Sequence, residues 1–246
     1  TRLSFARRLT RLMFEQQWKV SRTQFELDEK GHGFAIYCLQ TPAYRYHVVV
    51  FSRHLEDAQR TDRVIAEAWD LTFCLLEGEV DAELMSTLSA NVPLQEAGRQ
   101  HPRLLVISRA NKSVRAFATV SAALASGQQP DIDHLKEAGY LYRTTAVYGN
   151  GKFGIADFDR LKGYQEFWQP FSAQMAAVYM LREFSVDQVE HIARQADPGR
   201  AVALHPEARR YLGIGNSTGL GMAPFLINHP QLISQWVWVR ERALAV

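Results

Sequence analysis

Apolar and polar positions alternate through much of the first hundred residues, then give way to spacings of three and four. Residues 23–28, 34–40 and 44–52 alternate, the period of a half-buried strand. Phe34, Ile36 and Cys38 share one face of the second run, and Tyr46, Val48 and Val50 share one face of the third. His47 falls on the other face with Arg45 and Val49, and Gly31 and Gly33 supply the turn between the first two runs. Residues 69–78, stopped by Gly78, complete a four-stranded antiparallel sheet. Ahead of it, residues 1–20 read as a basic amphipathic helix, with Leu3, Ala6, Leu9, Leu12 and Met13 facing inward and Arg2, Arg7, Arg8 and Arg11 filling much of the remainder. Residues 56–68 and 81–90 read as helices, and 103–108 as a short strand or the approach to a helix.

Beyond that point helical spacing dominates. Residues 110–126 carry Val114, Phe117, Ala118 and Ser121 on one face, with Arg109, Asn111, Lys112 and Arg115 crowded at the start. Cations at a helix N-terminus oppose its dipole, so the arrangement calls for an anion or a carboxylate partner there. Gly127 to Pro130 breaks the chain, and Asp131 caps a helix running through Leu135, Ala138 and Tyr142. Residues 171–184 form an apolar helix. Ser185 and Gln188 make a capping box that opens a separate helix to about 196. Pro206 starts a short helix stopped by Gly213, and a last helix after Pro230 presents Leu232, Ile233, Trp236 and Val237. The expected fold is therefore α+β: residues 1–108 as a helix plus an antiparallel sheet, and residues 109–246 as a mainly helical region.

Two glycine-rich stretches interrupt that second region. One runs through Gly149, Asn150, Gly151, Lys152 and Gly154, close to Arg143 and Asp157; the other through Gly213, Gly215, Asn216, Ser217, Thr218, Gly219 and Gly221. Glycine lets another group approach the backbone closely, and unpaired amides ahead of a helix suit phosphate or carboxylate. Neither stretch completes a known signature. Ala146 stands where a P-loop needs its first glycine, and Phe153 replaces the hydroxyl that would bind magnesium. Residues 215–219 match G-x-S-x-G, but the preceding residues read as a short helix rather than a strand, and only His229 and Glu241 follow as partners. The dinucleotide spacing G-x-G-x-x-G is missed as well.

Composition adds boundaries. At 246 residues with 47% hydrophobic content, the chain has ample core. A formal net charge of +2 gives no general attraction to nucleic acid, which is not expected as a partner. No run of apolar residues is long enough to span a bilayer. Cys38 and Cys74 lie in apolar runs and read as buried thiols rather than a disulfide, which fits a cytoplasmic setting. The chain begins at Thr1, so a longer parent chain or a further domain is an open expectation, as is a homo-oligomer. There is no CxxC, HExxH or EF-hand pattern, so no metal site is expected, and no cofactor is named.

The first functional expectation is an enzyme or enzyme domain that binds a small anionic ligand through the two glycine-rich stretches. Asn150, Lys152, Asn216, Ser217 and Thr218 would contact the ligand, Arg109, Lys112 and Arg143 would supply charge, and Asp157 and His229 would move protons. The alternative is a non-catalytic binding or assembly module that uses the basic first helix and the Trp-bearing last helix as contact surfaces.

Overall fold

The computed structural model describes residues 11–59, 68–90, 101–144, 154–155, 161, 163–167, 170–209 and 211–216. Eight strands form one mixed sheet, seven of them in the order β1-β2-β3-β4-β5-β6-β8 and the remaining β7 paired to β5. They are β1 Lys19–Leu27, β2 Gly33–Gln40, β3 Arg45–Ser52, β4 Leu71–Glu77, β5 Leu104–Lys112, β6 Tyr140–Thr144, β7 Gly154–Ile155 and β8 Gly213–Asn216. The helices are α1 Ala82–Ala90, α2 Val114–Ala125, α3 Ile132–Ala138, α4 Pro170–Ala196 and α5 Pro206–Arg209. The strands from β1 to β6 pair antiparallel, whereas β6 and β8 are parallel.

The expected four-stranded antiparallel sheet is overturned, for reasons that lie in particular residues. Alternation located β2 and β3 well, but β5 runs on to Lys112 because Arg109 is buried and Asn111 and Lys112 stay in the ladder. Residues 109–112 are thus strand, and the helix that follows begins only at Val114, so the dipole argument for an anion at Arg109 and Lys112 falls. Asp131 does cap α3, accepting the His134 amide at 2.8 Å, but Gly139 at φ 69° ends that helix. The next five residues become β6 instead of a further helical turn. Gly213 likewise starts a strand rather than stopping a helix.

The two expected helices at 171–184 and 185–196 are one helix of 27 residues. Ser185 caps nothing, since its hydroxyl donates to the Arg182 carbonyl at 2.7 Å within the same helix. At the other end of the chain, helical residues 11–15 give way by Gln17, which sits at φ 51°, and Lys19 already belongs to β1.

Strand alternation divides the core in two. Ala35, Tyr37, Leu39, Tyr46, Val48, Val50, Leu71, Phe73 and Leu75 face α4, whose residues from Ala173 to Leu181 are buried around almost the whole circumference. A helix apolar on every side belongs in an interior. The other face carries Ile36, Val49, Phe51, Cys74, Leu76 and Ile107, covered by Leu84 and Leu88 of α1. Each such side chain taken out of water is worth roughly 1.5–3 kcal/mol.

Polar groups on α4 fix how it meets the sheet. Gln188 donates to the Gly31 carbonyl at 2.7 Å and to Ser52 Oγ at 2.9 Å, and accepts the Tyr142 hydroxyl at 2.6 Å. Arg182, 1% exposed, donates to the carbonyls of Leu212 (3.2 Å) and Arg209 (2.5 Å) and pairs with Glu183 at 2.7 Å. It therefore grips the chain just before β8. Cys38 and Cys74 are both buried free thiols.

Candidate functional site

The register around β5 creates the most distinctive geometry among the described residues. Thr144 of β6 pairs with Ala110, and Gly154 of β7 pairs with Ile107, both on the same side of β5. Three steps along β5 therefore separate partners that lie ten residues apart in the sequence. The intervening sequence contains Gly149, Asn150, Gly151 and Lys152, which lie outside the described residues. Its two stems stand on either side of Ser108 and Arg109. Interruptions of this kind re-aim side chains and recur beside functional sites.

On the far side of β6 lies β8, with Arg143 opposite Gly215 and Thr144 opposite Asn216. The Thr144 hydroxyl donates to the Gly215 carbonyl at 3.1 Å, tying the two strand ends together. Because β6 and β8 are parallel, the chain leaves both at one edge of the sheet. Thr144 and Asn216 thus lie side by side, and of the two glycine-rich stretches only Gly154, Gly213, Gly215 and Asn216 are among the described residues. Gly215 is needed for close approach: a β-carbon there would lie 3.1 Å from both Arg143 Cγ and the Tyr140 ring. A bulge in β6 between Tyr140 and Arg143 puts those two side chains on one face and lets Leu141 and Tyr142 both reach the main core.

Arg143 pairs with Asn111, and Arg109 lies two residues further along β5, so Arg109, Asn111 and Arg143 share the face opposite α4. Diagonal neighbours of this kind have β-carbons roughly 7–8 Å apart, within reach of two arginines converging on one group. Arg143 is half-buried, and its guanidinium has no hydrogen-bond or ion-pair partner among the described residues. Arg109 is buried, with its guanidinium 5.0 Å from the centre of the Trp69 ring. Its charge opposes the effect of burial on nearby Cys74, yet burial wins and pushes that thiol up to about 12. Asp70, next to Trp69, accepts the Lys112 amide at 2.8 Å, while its own amide donates to Asn111 Oδ1 at 3.2 Å.

Two of the expected charge partners, Arg109 and Arg143, therefore come together. Lys112 does not join them: it pairs with Tyr142 on the α4 face, and its Nζ lies 4.4 Å over the Phe117 ring. Asn216 ends β8 beside Thr144. Asn150, Lys152, Asp157, Ser217, Thr218 and His229 lie outside the described residues. The strand leading into residues 217–221 was not legible, because a four-residue strand with two glycines lacks the apolar run that marks a buried one.

Elsewhere, Tyr44, Tyr46 and Tyr164 pack with ring centres 5.3–6.0 Å apart beside the buried Glu166, which accepts from Thr41 at 2.6 Å and from Tyr46 at 3.3 Å. Burial, then the Glu166 charge, drives the Tyr46 hydroxyl far above its ordinary value. These rings pack against one another. Among the described residues no group of three or more His, Cys, Asp or Glu is placed to hold a metal ion, and no helix is long and apolar enough to cross a membrane. Comparison with known proteins leaves the geometry to speak for itself: no family model, curated protein or solved structure matches the chain.

Proposed function

We propose that the chain binds a small phosphate- or carboxylate-bearing molecule at the sheet edge where β6 and β8 end, and acts on it as an enzyme or as a domain of one. The observation that carries this reading is the pairing of Thr144 with Asn216 in parallel strands. Adjacent parallel strands deliver their following segments to one end of the sheet, where ligands bind in open parallel sheets, and β6 and β8 are the parallel pair here. Arg143 and Arg109 supply positive charge on one face there, and guanidinium groups suit planar oxyanions. Asn150, Lys152, Ser217 and Thr218 are the proposed loop contacts, Asn216 closes the strand end, and Asp157 and His229 are the proposed proton carriers.

The test is a thermal-shift series with inorganic phosphate, nucleotides, sugar phosphates and small carboxylates, each against sodium chloride of equal ionic strength. A ligand at a hundred times its Kd stabilises by about 2.7 kcal/mol, which raises the Tm by roughly 5–10 °C in a chain of this size. Arg143→Ala and Lys152→Ala should each remove most of that rise. Equal shifts in the wild type and both variants would end the proposal.

A further inference from the structure

We infer that β1 is a docking edge for a second copy of this chain, the two strands pairing antiparallel about a two-fold axis. β1 stands at one end of the sheet order, and among the described residues nothing pairs with its outer side. It runs nine residues without proline, and Lys19, Ser21, Arg22, Thr23, Gln24 and Glu26 are exposed. An edge of that length offers a row of unmatched amides and carbonyls, a template for another strand. The turns fix which groups point outward. The Asp28 amide donates to the His32 carbonyl at 2.8 Å, so Asp28 faces β2 and, by alternation, Leu27 and Phe25 face away. The Thr41 amide donates to the Tyr44 carbonyl at 2.9 Å, so Thr41 faces β3, and Gln40 and Cys38 turn towards β1. Their partners Lys19 and Ser21 answer them, which leaves the backbone groups of Val20 and Arg22 outward.

A bulge decides what fits there. Arg22 pairs with Tyr37 and Gln24 with Ile36, so Thr23 is an extra residue that β2 does not match. Around it, Val20, Arg22, Phe25 and Leu27 face α4, while Lys19, Ser21, Gln24 and Glu26 face the opposite way. A straight partner strand would again leave one residue of β1 over, as β2 does. A second copy carries the same extra residue and matches β1 residue for residue. Setting Val20 opposite Phe25 of the second copy brings outward backbone groups together. The same register places Ser21 opposite Gln24 and Lys19 opposite Glu26, each on a matching face. The two-fold repeats every pair, so the contact holds two Lys19–Glu26 charge pairs. Arg22 comes close to the axis in both copies, but each is already paired with its own Asp187 at 3.2 Å.

An edge contact of this kind is small, so the dimer is expected to be weak, in the micromolar range or above. Sedimentation equilibrium from micromolar to millimolar protein should show the mass rising from one chain to two. Lys19→Glu and Glu26→Lys each set like charges against one another at both ends of the contact. Either variant alone should weaken the dimer about tenfold or more. An equimolar mixture of the two variants restores opposite charges at both ends, and should dimerise as well as the wild type. Both side chains are exposed, so neither reversal disturbs the core. The two positions lie roughly 20–24 Å apart along one strand, so recovery in the mixture cannot come from a bond within one chain. A wild type that stays monomeric at millimolar concentration overturns the inference. So does a dimer that both variants leave intact, or a mixture that associates no better than either variant alone.

Discussion

Replacing Arg182 with Met tests how the sheet edge is held in place. The guanidinium is buried in α4 and spreads its donors over the Leu212 carbonyl, the Arg209 carbonyl and the Glu183 carboxylate. Methionine fills similar volume, so the cavity contribution stays small, while three charge-assisted hydrogen bonds disappear, the Leu212 carbonyl loses this donor and the Arg209 carbonyl keeps the Leu212 amide. Removing one member of a buried ion pair costs about 3–5 kcal/mol. With a urea m-value near 3 kcal/mol/M for a chain of this size, the midpoint should fall by about 1–2 M. Arg182→Lys keeps the charge but loses the planar fork, and should recover only part of the loss. Equilibrium urea unfolding followed by fluorescence measures both variants. A cost below about 1 kcal/mol for Met, or a Lys variant as stable as wild type, would refute the claim that this fork anchors the entry to β8.

Further expectations rest on other groups. Cys74, whose thiol burial raises to about 12, should resist alkylation in the native protein and react only as the chain unfolds; fast native-state labelling at a peptide containing Cys74 would contradict this. His32 has its proton affinity lowered by burial first and then by Lys112 and His54, against the opposing pull of Asp28. Because the folded value is the lower one, its contribution is present above the unfolded value of about 6.5 and lost as pH falls through it. Stability measured from pH 7.5 to 5.5 should therefore decline less steeply in His32→Gln. An unchanged slope would exclude His32 as a source. Gly215→Ala forces a β-carbon against Arg143 Cγ and the Tyr140 ring. It should cost about 1 kcal/mol or less, since both neighbours are partly exposed, yet weaken phosphate binding by moving Arg143; intact binding would argue that Arg143 is not a contact.

The sequence was most legible where a single period governs a whole element. Residues 33–40 and 45–52 alternate cleanly and are strands, and Asp131 has the cap that its position suggests. Legibility failed where tertiary pairing overrides local pattern. Arg109, Asn111 and Lys112 look like the polar start of a helix, but neighbouring strands supply partners that hold them in β5. Tyr142 keeps helical spacing from Leu135 and Ala138, yet Gly139 turns the chain and β6 forms against β5. Ser185 and Gln188 have the spacing of a capping box, but the helix passes straight through them, because the Ser185 hydroxyl bonds back to the Arg182 carbonyl and Gln188 bonds across to Gly31, Ser52 and Tyr142. The candidate site suffered most from this, since its geometry depends on registers between strands far apart in sequence, which no local pattern encodes.

The central claim is that one negatively charged group binds on the face shared by Arg109 and Arg143, where β6 and β8 end. Anomalous diffraction from crystals soaked in tungstate, an oxyanion with a strong signal, addresses it directly. A peak within hydrogen-bond reach of the Arg143 guanidinium is the expected result. Tungstate bound only at surface lysines, or none on that face at full occupancy elsewhere, would contradict the account.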